Sequence, residues 1–216
     1  MSLPTATRHL AAEFALVFLG LPLLAWWQGE ALRRWIIPQI LLLALVCLVI
    51  LWRDPAFDRH ALRAFPRHWQ PCLVRIGLTF LAGGAALLGW AAWSEDIELF
   101  SFPRQRTELW LLVLVLYPLV SALAQELIFR VFLFHRYRAL FATPGRRVLA
   151  SAAAFALAHL ILGNWQAPAL SLLGGLLFAW TYARTRSLPL VVLEHGLWGD
   201  WLFTLGLGSY FYGGHL

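Results

Sequence analysis

Residues 109–134 read LWLLVLVLYPLVSALAQELIFRVFLF, an apolar stretch that is longer than the ~20 residues of one upright bilayer crossing. Pro118 interrupts it, and because proline lacks a backbone donor and clashes with the preceding turn, we expect a kink or break there. The second part carries Gln125, Glu126 and Arg130. A charge at membrane depth costs roughly 2.5 to 3.5 kcal/mol on insertion scales and usually has a function. The stretch therefore predicts a membrane helix that contributes to a buried polar site.

Two later apolar stretches also carry ionisable residues. His159 lies in AAAFALAHLIL, and Glu194, His195 and Asp200 lie in LPLVVLEHGLWGDWLF. Histidine and glutamate are the usual acids and bases of enzymes, so three such helices predict a buried reaction centre. Adjacent residues point about 100° apart around a helix, so we do not expect Glu194 and His195 to bond to each other.

The composition indicates a membrane protein. Hydrophobic residues make up 61% of the 216 residues and charged residues 13%, and the mean hydropathy is +0.70, whereas about a quarter of a soluble domain is charged. We predict an all-α, polytopic transmembrane helical bundle of about seven spans, forming a single integral membrane domain with three N-terminal helices in 10–93 and the catalytic helices in 109–207. The predicted spans are 10–27, 35–52, 73–93, 109–134, 148–162, 170–182 and 188–207.

The arginines, in a chain without lysine, predict the orientation of the bundle. They cluster in three loops, which contain Arg53, Arg59, Arg63 and Arg67, then Arg136, Arg138, Arg146 and Arg147, then Arg184 and Arg186. The positive-inside rule places these loops and the N-terminus in the cytoplasm and the C-terminus outside, in our prediction at a bacterial inner membrane. Arg33 and Arg34 lie on the opposite side of this scheme. The sequence pI of about 10.1 indicates membrane lipid rather than nucleic acid as a partner, because no basic recognition element is present.

The order and spacing of the three polar segments resemble the CPBP intramembrane protease family, which includes the CAAX prenyl endopeptidases and bacteriocin-processing or self-immunity (Abi) proteins. The family pattern is EExxxR, then FxxxH, then HxxxN or a close variant. The corresponding residues here are Gln125, Glu126 and Arg130, then Phe155 and His159, then His195 and Gly199 followed by Asp200. The resemblance covers roughly residues 110–207.

Two positions depart from the family pattern. Gln125 replaces the Glu that the family uses together with the His of FxxxH to activate water, and a neutral amide cannot take that proton. Gly199 replaces the Asn whose amide is proposed to stabilise the oxyanion in the family. These departures concern the roles of two residues and leave Glu126, His159 and His195 in place.

The resemblance implies a glutamate-type peptidase that cleaves a membrane-associated or C-terminal peptide segment. We expect Glu126 and His159 to hold the attacking water, one or both acting as general base and acid, and His195 to donate to the oxyanion. The expected supporting residues are Gln125 on the water or substrate carbonyl, Asp200 as the group that orients or charges His195, and also Arg130, Glu194 and Asn164. No cofactor is expected. A divalent metal would have Glu126, His159 and His195 as ligands, but no HExxH spacing predicts zinc.

Three other interpretations stay open at this point. Glu126 and Arg130 are four residues apart and could form only a structural ion pair. A non-catalytic scaffold or immunity protein of the same fold would explain Gln125. A proton-coupled transporter would also place Glu and His at mid-membrane, but transporters usually have paired broken helices, and the sequence has one clear break, at Pro118.

Overall fold

Seven long helices form from the seven apolar stretches. The computed structural model describes residues 5–212, and over these residues the regular secondary structure is helical, without strands. The helices are α1 (Thr7–Gln28), α2 (Ile36–Arg53), α3 (Gln70–Trp93), α4 (Thr107–Arg136), α5 (Pro144–Leu162), α6 (Gln166–Thr185) and α7 (Leu188–Leu205). Helices α1 to α5 are long and apolar enough to cross a membrane, and α6 and α7 have 20 and 18 residues. The predicted all-α fold is confirmed.

The starts of α5 and α7 follow from local sequence chemistry. Thr143 accepts a hydrogen bond from the backbone N–H of Arg146, and Ser187 accepts one from that of Leu190. Each cap residue is followed within two positions by a proline, which suits the first turn of a helix because the backbone N–H groups there have no helical partner. These caps define the residues at which the two histidine-bearing helices begin.

Pro118 does not break α4. The helix continues from Thr107 to Arg136, and the chain passes the proline in a π-helical turn over Tyr117–Ala122, followed by a second π-helical turn over Leu127–Phe132. A wider turn accommodates the missing N–H of proline without ending the helix. The predicted interruption is therefore a local widening, and it lies next to the polar residues of α4.

The second part of α4 is the centre of the molecule. From Ala124 to His135 every residue is buried, including both members of the Glu126–Arg130 pair. Helices α5 and α6 approach each other closely, since a Cβ added at Gly175 would lie 3.1 Å from the Cα of Ala152. Small residues permit such contacts between membrane helices. Helices α5 and α6 are thus tightly packed, and Ser151 of α5 donates a hydrogen bond to the Phe129 carbonyl oxygen of α4.

Charged residues connect the N-terminal helices to this centre. Glu13 of α1 accepts hydrogen bonds from Arg136 at 3.0 and 2.7 Å and from the Tyr137 hydroxyl at 3.0 Å. Arg33, one of the two arginines that oppose the predicted orientation, donates to the carbonyl oxygen of Ile161 at 3.1 Å. Arg33 therefore makes a contact within the protein, at the end of α5. The outer faces of α1 to α3 expose leucine, valine and tryptophan, which is typical of an integral membrane protein.

Candidate active site

A cavity of about 360 Å³ lies between α3, α4, α5, α6 and α7. Its walls are mainly apolar, and the polar side chains on it include Tyr117, His159 and His195. Ligand and active sites are commonly apolar pockets of this size with a few converging polar groups. The cavity brings together two of the three predicted catalytic residues, from α5 and α7.

His195 has a partner at each ring nitrogen. Its Nδ1 lies 2.8 Å from Glu126 Oε1, and its Nε2 lies 3.0 Å from the Tyr117 hydroxyl. The ring is stacked on Phe178 at a centroid distance of 4.6 Å. Since a carboxylate only accepts, Nδ1 carries a proton toward Glu126, and the tautomer of the neutral ring is assigned on this basis. His195 is therefore fixed in position and in proton arrangement.

Glu126 lies behind His195 rather than on the cavity wall. Its side chain is fully buried, and the second carboxylate oxygen lies 3.0 Å from Nε of Arg130, which is also fully buried. The N–H bonds of Arg130 are not directed at this oxygen, so the contact is an ion pair rather than a hydrogen bond. The guanidinium also lies over Phe155, 4.6 Å from the ring centroid. The structural ion pair and the contact with His195 thus share one carboxylate.

His159 lies on the cavity with one nitrogen already used. Its Nδ1 is 2.7 Å from the backbone carbonyl oxygen of Phe155, four residues earlier. A carbonyl oxygen only accepts, so Nδ1 carries the proton and Nε2 is the nitrogen that can accept one. The Phe155 ring contacts both histidines, with centroid distances of 4.6 Å to His159 and 5.5 Å to His195. The FxxxH spacing therefore orients the imidazole through the backbone of its phenylalanine.

Residues 107–199 match the family model described as Type II CAAX prenyl endopeptidase Rce1-like. This match supports the resemblance to the CPBP family that the three motifs indicate. The match begins with α4, ends at Gly199 and contains all three motifs. No curated protein and no solved structure in the comparisons matches the chain. The family points to a CAAX-type intramembrane protease in general.

Gln125 occupies the first glutamate position of the CPBP motif but is not on the cavity wall. Its Nε2 donates to the Ser121 hydroxyl at 2.8 Å, and its Oε1 is buried without a partner among residues 5–212. Adjacent helical residues point about 100° apart, so a helix that directs Glu126 at His195 directs Gln125 elsewhere. The expected contact of Gln125 with a cavity water or substrate is not supported by this placement.

The two acidic residues of α7 are Glu194 and Asp200, and neither is the carboxylate bonded to His195. Asp200 is not the residue that orients His195, because Glu126 and Tyr117 occupy both ring nitrogens. Glu194 is fully buried and pairs with Arg75 of α3 at 3.4 Å, while Arg75 also bonds to Thr181. The hydrogen bonds of His195 favour Glu126 over Asp200 as the carboxylate that orients the ring, and Glu126 comes from another helix, which sequence spacing along α7 does not reveal.

Asn164 is a structural residue near the end of α5. Its Oδ1 accepts from the backbone N–H of Ala167 at 2.8 Å, and its Nδ2 donates to the carbonyl oxygen of Tyr210 at 2.8 Å. It therefore fixes the start of α6 against the turn after α7.

Glu126, His159 and His195 are the residues that a divalent metal, if bound, was expected to use. Over residues 5–212, no group of three or more His, Cys, Asp or Glu side chains is arranged to hold a metal ion. Both nitrogens of His195 are engaged by Glu126 and Tyr117, and a metal ligand needs a free lone pair.

Tyr117 is the site residue that sequence reasoning missed. Its ring occupies the space beside Gly199, where an added Cβ would overlap the ring and lie 2.6 Å from the phenol oxygen. Gly196 gives similar room to Pro118, which an added Cβ would approach to 2.9 Å. The two glycines of α7 thus allow α4 to approach at its π-helical turn. The sequence signal for this site residue was a tyrosine directly before the proline of an apolar stretch.

Proposed function

We propose that the chain is an intramembrane protease that hydrolyses a peptide bond in a membrane-associated or C-terminal substrate segment. The observation that carries this proposal is a cavity with two histidines on its wall. Nε2 of His159 has no hydrogen-bond partner among residues 5–212, and His195 is bonded to the fully buried Glu126. General base hydrolysis requires a base positioned to take a proton from water, and Nε2 of His159 can have this role.

In the proposed reaction, water in the cavity gives a proton to Nε2 of His159 as its oxygen attacks the substrate carbonyl carbon. The tetrahedral intermediate collapses, the carbon–nitrogen bond breaks, and His159 returns the proton to the leaving amine. The sequence suggested a water held directly by Glu126 and His159. The contacts favour an indirect role for Glu126, which holds the His195 ring in position through Nδ1. The enzyme remains dependent on this glutamate, and no cofactor takes part.

The proposed substrate is a C-terminal peptide that carries a lipid. The apolar walls of the cavity, formed in part by Leu173, Leu177 and Leu202, suit a lipid chain or an apolar peptide. The matched family model is described by its action on CAAX prenyl sequences.

A bacterial inner membrane location with the N-terminus in the cytoplasm remains part of the proposal. Reporter fusions at the loop of Arg59 and at the C-terminus test this orientation. The account expects opposite sides for the two reporters.

A catalytically silent scaffold is the second candidate. Gln125 favours it, because a neutral amide stands where the CPBP motif has a glutamate. The scaffold and the protease differ in one measurable property, which is turnover of a peptide by the purified protein.

The test uses purified protein in liposomes with a quenched fluorogenic peptide that ends in a farnesylated Cys-aliphatic-aliphatic-X sequence. We expect wild type to cleave it and His159→Ala to lose at least 10²-fold in rate, the usual contribution of a general base. His60→Ala, at an exposed histidine away from the cavity, is the matched control and is expected to retain the wild-type rate. Equal rates for wild type and folded His159→Ala would contradict the proposal.

A further inference from the structure

Tyr117 has a position on the cavity that no motif assigns. Its hydroxyl is 3.0 Å from His195 Nε2, and its ring makes edge contacts with His195 and with Phe203 at centroid distances of 5.9 and 5.3 Å. The ring also fills the volume beside Gly199, which has no side chain of its own. The phenol is therefore held firmly, with its hydroxyl bonded to an imidazole and its side chain on the cavity.

The hydroxyl proton can point in two directions, and His195 decides which. When His195 is neutral, its Nδ1 proton is directed at Glu126 and its Nε2 accepts from Tyr117. When His195 is protonated on both nitrogens, Nε2 donates to the phenol oxygen instead. The phenol proton is then free to donate into the cavity, on which Tyr117 lies. In both states Nδ1 donates to the buried carboxylate of Glu126, whose Oε1 lies 2.8 Å away.

We propose that Tyr117 is a catalytic residue whose hydroxyl donates a hydrogen bond to the oxyanion of the tetrahedral intermediate. This inference rests on the proposed function. The family pattern has an asparagine at the position of Gly199, and in this chain the Tyr117 ring occupies the space that such a side chain would need. The donor thus comes from α4 rather than from α7. His195 orients the phenol through the hydrogen bond between Nε2 and the phenol oxygen.

The chemistry of the step needs no further reactant. Water adds to the carbonyl carbon, the carbonyl π electrons move to oxygen, and the oxyanion accepts the Tyr117 hydrogen bond without taking its proton. The same bond is released when the carbon–oxygen double bond re-forms and the amine leaves. Preorganised donors of this kind act because charge develops where they already point.

The first arm of the test is turnover of the farnesylated peptide by Tyr117→Phe. The variant keeps the ring beside Gly199 and loses only the hydroxyl. We expect kcat to fall on the order of 10² to 10³-fold, the loss seen when one oxyanion donor is removed, with KM changed little. Tyr182→Phe is the matched control at a buried tyrosine off the cavity wall, and is expected to retain the wild-type kcat.

The second arm does not depend on turnover. The probe is the same farnesylated peptide with a phosphinate, a stable tetrahedral anion, in place of the peptide bond after the lipidated cysteine. We expect Tyr117→Phe to bind the phosphinate more weakly than wild type, by about the same factor as the fall in kcat. The farnesylated product peptide is expected to bind both proteins equally. A wild type that binds the phosphinate with a Tyr117-dependent affinity but cleaves nothing would support the inference and refute the proposed function.

A position swap sharpens the same test. Tyr117→Ala should lose activity and phosphinate affinity. The double variant Tyr117→Ala/Gly199→Asn should bind the phosphinate at least tenfold more tightly than Tyr117→Ala, because the asparagine supplies an amide donor in the space left by the ring. Wild type and Tyr117→Phe that cleave and bind the phosphinate within threefold of each other would overturn the inference. Failure of wild type to bind the phosphinate at all would also overturn it.

Discussion

The N-terminal helices α1 to α3 and the C-terminal helices α4 and α5 are all long and apolar enough to cross a membrane, but they place polar residues differently. Only 6% of the most apolar 18 residues of α1 are buried, against 33% in α4 and in α5. The N-terminal helices contribute single charged residues, such as Glu13 and Arg75, whose contacts lie in the C-terminal helices. Apolar content therefore identifies a membrane span, whereas convergence of buried polar groups identifies the site.

Removing the buried cation of α4 is expected to have the largest effect. Arg130→Met leaves the Glu126 carboxylate buried without its cation, which should destabilise the protein by about 3 to 5 kcal/mol. The expected result is little folded protein in fluorescence-detected size exclusion. Arg8→Met removes an exposed arginine of α1 and is the control, expected to match wild type. An Arg130→Met protein that unfolds at the wild-type temperature would show that the polar centre is not what stabilises the C-terminal helices.

The same contrast is expected for glycines. Gly175→Ala on α6 would place a Cβ 3.1 Å from the Ala152 backbone, an overpacking that typically destabilises by about 1 to 3 kcal/mol. Gly77→Ala on α3 meets nothing within 4 Å, so the gain of helix propensity should stabilise by up to about 1 kcal/mol. Thermal unfolding in one detergent gives both values. Shifts of the same sign would break the distinction between the two regions.

The contacts between the regions are expected to be the weakest. Glu13→Gln removes the ion pair with Arg136, and both of these side chains are about one third exposed. Such pairs contribute about 0 to 1 kcal/mol, and the contribution should shrink at high salt because exposed charges are screened. Unfolding temperatures of wild type and variant, measured at low and high salt, provide the check. A loss as large as that of Arg130→Met would mean that α1 is part of the stabilising centre.

The helices could be predicted from the sequence because apolar runs and their polar ends are local properties. The predicted span 10–27 becomes Thr7–Gln28, and 35–52 becomes Ile36–Arg53. The π-helical course past Pro118 could not be predicted in the same way, because a proline is compatible with a break, a kink or a wider turn. The room that Gly196 leaves for Pro118 comes from α7, far along the chain.

The site residues could be predicted as a set, but their partners could not. Glu126, His159 and His195 stood out as ionisable groups in apolar helices, and the structure places two of them on one cavity and the third behind it. Pairing depends on which helix lies opposite. The Tyr117 hydroxyl and His195 are 78 positions apart, and Asp200 is only five from His195 yet is not its partner.

We propose that the chain is an active protease although Gln125 replaces the first glutamate of the CPBP motif. The most direct measurement is the turnover of the farnesylated peptide by wild type, Glu126→Gln and Gln125→Glu in parallel. We expect measurable wild-type turnover and its loss in Glu126→Gln. We expect no gain in Gln125→Glu, because the side chain at 125 is not on the cavity wall. A silent wild type together with an active Gln125→Glu variant would contradict the proposal and identify the chain as a scaffold that has lost its base.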